Sequence, residues 1–520
     1  MKKFFLFLTV SAIFLFAGCK TTNHTTKSIP KTTTSITIKT TSEIKTVQST
    51  TKTISSVNTI DFSSVEIEAY TSNKSNQFVE VTDLVNFTKD KLYGNEITIN
   101  DEKKYENYYG VGAALTGASA YLIKNSPKED EIIDYLFGSD GLNIQVVRLC
   151  IGSSDFPNPK WGGHYTYDDI QTGTKDLELK NFSIAKDDDV IAVLQKALAI
   201  NPDIRFIAAP WSAPAWMKDS QKLDGGGNLS PFYNEVFAKY LIKFVEEYAK
   251  YGINIDYLSI QNEPLYQNPN SGYPTMYIGV RQAKTIITDY LGPMLEEKNL
   301  DTKILIYDHN AGELYPFTML SDDNLRKYVK GVGLHCYVVE TAEEIHTTVK
   351  DLKTKYPEIE VLMTECTAGT WYTNFDDNLK YSLDRMYTKV FEAGASGTMY
   401  WNMVLDPKGE THLGGCAGCT GVISVEGDNY NIEAEALAIG HYGKYVDLDA
   451  TRIDVEIKAM NVMANAYMNN ENEYVLVLYN SGKAATEIVI KWRGANAKVK
   501  IPAKSMMTVI WRINKWNIKK

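Results

Sequence analysis

The sequence predicts a parallel (β/α)8 barrel with a β-sandwich attached to it. Three observations carry that reading. Short apolar runs recur between residues 109 and 402, each followed by a stretch long enough for an amphipathic helix. Several of those runs end in charged residues or indole, where a barrel strand would reach its mouth. Segments of period two flank the region on both sides, as half-buried strands do.

Met1-Lys2-Lys3 is a short basic start, and Phe4 to Phe16 is almost unbroken apolar sequence. That length is too short for a bilayer and suits a signal h-region. It closes in Leu15-Phe16-Ala17-Gly18-Cys19, which resembles a bacterial lipobox with Cys19 as the lipidated residue. Residues 1–19 therefore read as a lipoprotein signal peptide, with export and anchoring to the outer face of a bacterial cell membrane. Ordinary cleavage and free secretion is the alternative. Residues 20–58 are dominated by Thr, Ser and Lys and offer too little apolar surface to bury, so they read as a disordered stalk.

Alternating runs such as Val65-Glu66-Ile67-Glu68-Ala69 assign residues 59–107 to the first strands of the sandwich. The barrel is expected over 108–444, with strands at 109–114, 144–150, 204–210, 255–261, 304–308, 331–336, 361–365 and 397–402. Helices are expected at 187–200, 231–251, 276–298, 342–356 and 379–393. A doubly wound open sheet is the runner-up, but no glycine-rich phosphate turn follows a strand. Period two returns over 445–520, in runs at 452–459, 474–479, 487–492 and 508–512, completing the sandwich from the other end of the chain.

A net charge of −10 without a long Lys/Arg run argues against nucleic acid as a partner. The 33 Tyr and 8 Trp offer flat faces with a polar edge, which suits stacking on a neutral sugar. Cys150, Cys336 and Cys366 each follow an apolar run, as buried free thiols do. Cys416 and Cys419 form a Cys-x-x-Cys pair that reads as a local disulfide in preference to zinc, for which His412 alone stands nearby.

The strand ends deliver Arg148, Trp211, Asn262 with Glu263, Asp308 with His309, His335 with Tyr337, Glu365, and Trp401 with Asn402. Two carboxylates can divide the cleavage of a glycosidic bond, one as protonated acid and one as ionised nucleophile. Glu263 and Glu365 end the fourth and seventh strands, across the mouth from one another. Arg148 or His335 would donate to Glu365, and Glu263 would need its pKa raised by apolar and like-charge neighbours.

These segments resemble glycoside hydrolase family 30, which includes glucosylceramidases and β-1,6-glucanases. The likeness rests on Gly110 through Thr116, Val147-Arg148 with Gly152-Ser153-Ser154-Asp155-Phe156, and Ala209 through Met217. It continues in Gln261-Asn262-Glu263-Pro264, Thr364-Glu365-Cys366 and Tyr400-Trp401-Asn402 with Leu405-Asp406-Pro407. The resemblance implies Glu263 as acid/base and Glu365 as nucleophile. It implies that Asn262 binds the sugar 2-hydroxyl, that Arg148 and His335 hold the nucleophile, and that Asp155 binds outer hydroxyls of the −1 sugar. Trp211 and Trp401 would wall that subsite, Tyr337 would touch the nucleophile, and no metal or organic cofactor would be needed. Where relatives commonly read Gly-Pro-Asn-Trp, this chain has Glu410-Thr411-His412-Leu413, and many carry Trp where Cys336 stands. The first departure implies a missing aromatic wall near the aglycone, and the second implies a wider site.

The segment Leu223–Leu229, with Gln261 before the Asn-Glu-Pro and Tyr273-Pro274 after it, looks closer to bacterial β-1,6-glucanases than to xylanases. The expected substrate is a β-glucan or β-glucoside, as an oligo- or polysaccharide or a glycoconjugate. A β-xylosidase or β-fucosidase is the related alternative. From another class, a surface carbohydrate-binding lipoprotein without catalysis would lack one carboxylate, and both are present.

Overall fold

The computed structural model describes residues 65–513 apart from Thr373, Asn470 and Glu471. The signal segment 1–19 with Cys19, and the stalk 20–58, lie outside the described residues. Among the described residues no helix is long and apolar enough to cross a membrane.

Four strands precede the barrel: β1 (Val65–Asn73), β2 (Asn76–Glu80), β3 (Phe87–Thr88) and β4 (Asn95–Asn107). Eight parallel strands then close on themselves. They are β5 (Gly110–Leu115), β6 (Val146–Ile151), β7 (Arg205–Pro210), β8 (Ile255–Ser259), β9 (Lys303–Asn310), β10 (Val329–His335), β11 (Glu360–Glu365) and β12 (Gly397–Tyr400). Pairing of Gly397 with Gly110 joins the last strand to the first. Every expected barrel strand is present, because a strand buried on both faces reads as an apolar run bounded by polar chain. Helices at Asp188–Ile200, Asn234–Ala249 and Ala342–Lys355 cover the outside. The helical stretch expected at 276–298 is divided by a wider π-turn at Ile286–Leu291, and that at 379–393 breaks into Phe375–Arg385 and Thr388–Ala393.

The barrel interior is filled by Val146, Ile207, Tyr257, Leu305, Leu362 and Met399. Two residues beyond Val146, on the same inward face of β6, the sequence switches to Arg148. That switch from aliphatic packing to a buried cation marks the start of the polar mouth.

After a small sheet of β13 (Val404–Leu405), β14 (Ile423–Glu426) and β15 (Asn429–Ile432), six strands complete the second domain. They are β16 (Thr451–Lys458), β17 (Val462–Met468), β18 (Glu473–Asn480), β19 (Thr486–Trp492), β20 (Ala495–Ile501) and β21 (Ser505–Ile513). The hydrogen-bonded order β2-β1-β21-β18-β17-β16-β4-β19-β20-β3 interleaves the two ends of the chain in one β-sandwich. Strand alternation explains how it docks. On β18, Tyr474, Leu476 and Leu478 enter the sandwich core beside Trp492 and Trp511, while Val475, Val477 and Tyr479 join the barrel's core. In β17 Asn465 stands between two alanines inside a buried strand, so the segment shows neither an unbroken apolar run nor a polar alternation and carries no clear signal in the sequence.

One expectation is corrected. Cys336 and Cys366, read as separate buried thiols, are joined by a disulfide; Cys150 is a buried free thiol. Each cysteine directly follows a barrel strand, and β10 and β11 are parallel neighbours with His335 opposite Glu365. The next residue of each strand therefore meets its counterpart, with Cα atoms 5.2 Å apart. Cys416 and Cys419 also form a disulfide.

Candidate active site

Parallel strands all deliver their last residues to one face, so the mouth collects side chains from many segments. Asn262 and Glu263 follow β8 and keep its pairing going: the Asn262 N–H donates to Pro210 O at 2.8 Å and the Glu263 N–H to Asp308 O at 2.9 Å. Glu263 and Asp308 both hold left-handed backbone, at φ 49° and 52°. Such conformations in non-glycine residues persist where the surroundings over-determine them, and they cluster at working sites.

Beneath the mouth lies a buried network of charge. Arg148, fully buried, donates to Glu365 Oε2 at 2.5 Å, to Asn262 Oδ1 at 2.7 Å and to Asp308 Oδ2 at 3.1 Å. Its guanidinium also sits 5.0 Å from the Trp211 ring centroid and 5.6 Å from that of Trp401. Burial opposes its charge, but Asp308 and Glu365 outweigh that and raise its pKa further. Burial likewise opposes ionisation of Asp308, yet Arg148 and His335 hold its carboxyl far below the usual range. A Cβ on Gly333 would come within 3.0 Å of Asp308 Oδ1 and 2.9 Å of Thr364 Oγ1, so glycine is needed for that carboxylate to fit.

His335 stands between two carboxylates, with Nε2 3.1 Å from Asp308 Oδ1 and Nδ1 3.2 Å from Glu263 Oε1. Desolvation favours its neutral form. Glu365, Asp308 and Glu263 prevail and push its pKa up to about 9. His309 Nδ1 and Asn310 Nδ2 each reach the same Glu263 oxygen, both at 3.3 Å. Burial alone would raise the Glu263 pKa; hydrogen bonds from His309 and His335 lower it instead.

Two expectations change here. His335 was expected to hold the nucleophile candidate, but its hydrogen bonds go to Glu263 and Asp308, and Glu365 acts on it through space. The carboxyl of Glu263, expected to be raised, is lowered. Asp308, lying beneath, orients His335 towards Glu263, where it joins His309 in holding the carboxylate.

Asp155, Trp211, Asn262, Glu263, Tyr337, Glu365 and Trp401 line one cavity of 490 Å³, with Arg148 and His335 buried behind them. Trp211 and Trp401 stack at 5.0 Å, 23° between planes, as one continuous wall. Burial and the Glu365 and Glu263 carboxylates push the Tyr337 phenol well up. Desolvation first, then Glu365, raises Asp155 to about 7, against the Cys416 N–H that donates to it at 3.3 Å. A Cβ on Gly415 would stand 2.2 Å from Asp155 Oδ2, so that loop can lie on Asp155 only with glycine there.

The sequence gives Asp308, His309 and Asn310 no role and does not mark the loop residues Tyr266 and Trp371 or the helical Tyr381 of the cavity, while Tyr273 figures there only in the likeness to glucanases. Asp308 and His309 are among the strand ends the sequence delivers, but a place at a strand end assigns no partner. The loop aromatics carry no period. Leu413 ties into the site through its N–H, which donates to Asp155 O at 2.8 Å, so the 410–413 stretch braces Asp155 instead of supplying an aromatic wall.

The model of the glycosyl hydrolase family 30 TIM-barrel domain matches residues 108–446, and that of the family's beta sandwich domain matches 449–509. A putative glucosylceramidase of Caenorhabditis elegans is 31% identical over 429 residues, 77% of this chain and 79% of its own. An endo-1,6-beta-D-glucanase of Aspergillus fumigatus is 29% identical over 376 residues, 68% of this chain and 73% of its own. The solved structure of an endo-beta1,6-glucanase superposes with a TM-score of 0.77 at 27% identity, covering 86% of this chain and 99% of that one. With its barrel, its sandwich and its charged mouth, the chain belongs to glycosyl hydrolase family 30 and is an O-glycosyl hydrolase.

Proposed function

We propose that this hydrolase cleaves a β-glucan or β-glucoside with retention, by double displacement, using Glu365 as nucleophile and Glu263 as acid/base. One observation carries the division of roles: the two carboxylates in one cavity have partners of opposite kind. Glu365 pairs with Arg148, a cation that does not release its proton at working pH. Glu263 pairs with His335, a group that can exchange one. A nucleophile needs constant charge, whereas an acid/base needs a proton in reach.

The Glu263–His335 pair can hold its shared proton on the imidazole, with both ring nitrogens donating, or on the carboxyl, with Nδ1 accepting. A leaving oxygen drawing the proton from Glu263 would shift the pair from the first form to the second. His335 releases that proton only as pH rises through about 9. The alkaline limb of kcat/KM should therefore lie near that value, and His335→Gln should move it to lower pH. A limb that stays put in the variant would exclude His335 from the proton path.

The relatives named as endo-1,6-glucanases and glucosylceramidases favour glucose as the glycone and, for a polymer, a β-1,6 linkage. Trp211 and Trp401 would stack on that sugar, with Asp155 and Asn262 on its hydroxyls. The test is a panel of nitrophenyl β-glucoside, β-xyloside and β-fucoside together with β-1,6-glucan. Nitrophenol or new reducing ends from the glucose substrates, first formed as the β anomer, is the expected result. Silence on the whole panel, with tight glycan binding by calorimetry, would favour a binding protein in its place.

A further inference from the structure

The Cys336–Cys366 disulfide lies within one residue of three groups at the site. Cys336 stands between His335 and Tyr337, and Cys366 directly follows Glu365. Both cysteines are buried.

The backbone around them departs from regular pairing on each side. Between β10 and β11 the register slips just before His335, leaving Thr364 out of the ladder. Between β10 and β9 it slips one residue earlier, after Gly333. On the other side, β11 pairs with β12 only through Leu362 and Met363. After these slips His335 is paired again, opposite Glu365 on one side and Asn310 on the other, so the irregular step comes immediately before the residues of the site.

The bridge joins the next residue of each strand, one step beyond that last pair. Its two halves are also pinned to other elements: the Cys336 carbonyl accepts from Arg385 Nη1 at 3.1 Å, and the Cys366 carbonyl from the Trp401 N–H at 2.9 Å. The crosslink thus joins β10, β11 and the start of the segment after β12. Past Cys366 the chain runs on into Thr367 and Trp371, both in the cavity wall.

We propose that the Cys336–Cys366 disulfide is a positioning element of the reaction, fixing the His335–Tyr337 strand end against Glu365 one residue beyond the slipped last rung of the ladder. This rests on Glu365 being the nucleophile. Misplacing reacting groups by about an ångström can cost roughly 100-fold in rate, which sets the scale of the effect.

The test compares the full chain with C336A/C366A and with C336V/C366A, the second restoring volume in the gap. Active sites are counted by the burst from a 2-deoxy-2-fluoro glycoside bearing a dinitrophenyl leaving group. Per counted site, kcat should fall by roughly 10–100-fold while KM changes by less than about threefold. A lower thermal midpoint with kcat per site unchanged would overturn the proposal and leave a stabilising crosslink. If neither variant folds, nor the natural chain made under reducing conditions, the bridge serves folding and the proposal falls as well. Glu365→Ala separates the two levels: an active alanine variant removes the nucleophile assignment, whereas an inactive one beside a fully active bridge-free enzyme removes this inference alone.

Discussion

Glu365→Ala should lower turnover by about 10⁴-fold or more, and azide should restore it with a glycosyl azide of inverted configuration. Removing the carboxylate leaves a gap beside the anomeric carbon, into which a small anion can enter and attack. Arg148 makes that entry favourable, because its Nη1 loses the partner it holds at 2.5 Å and is left with an open site for an anion. Mass spectrometry of the product and NMR of its anomeric proton read the outcome. If azide does nothing for this variant, while Glu263→Ala is rescued with the inverted azide, the two roles are exchanged.

Arg148→Met should be the most damaging change away from the two glutamates. Methionine is an unbranched apolar side chain that occupies part of the same space, but it withdraws donors from Glu365, Asn262 and Asp308 together. Asp308 would suffer most, since it is fully buried and His335 would be its remaining cation. Breaking a buried pair by removing one partner costs about 3–5 kcal/mol. If that loss falls on the transition state, kcat/KM drops by roughly 10²–10⁴-fold. Thermal unfolding should shift down as well. Arg148→Lys should recover stability better than activity, because one ammonium cannot reproduce the fork that spans three acceptors. Activity within about twofold of the natural enzyme in Arg148→Met would show that the cation is dispensable.

The barrel was legible because its strands are buried on both faces, and such strands stand out as apolar runs ending in polar residues. The two glutamates were legible for the same reason. What the sequence did not disclose is how those ends face one another. Asp308 reads as an ordinary strand end until it lies under both Arg148 and His335. The direction of the Glu263 shift depends on His309 and His335 both pointing at it, and no spacing along the chain encodes that. Cys336 and Cys366 are 30 residues apart and look like two separate thiols; only the parallel pairing of β10 with β11 makes them neighbours. Trp371 and Tyr266 sit on loops, where no periodicity marks a side chain that turns towards the cavity.

The pairing of β1 with β21 has a mechanical consequence. Val65 lies opposite Ile513, so the described chain begins and finishes at the same end of one antiparallel pair. A force drawing those two points apart would load the ladder one rung at a time, as a zipper opens, and not all rungs together in shear. The seam between first and last strand is therefore the weak line under tension. Peeling would bare Met507, Val509 and Trp511 of the sandwich core first. The cavity, carried by β6 to β12 and the loops that follow them, lies off that path, so tension applied at the ends would reach the sandwich before the reacting groups.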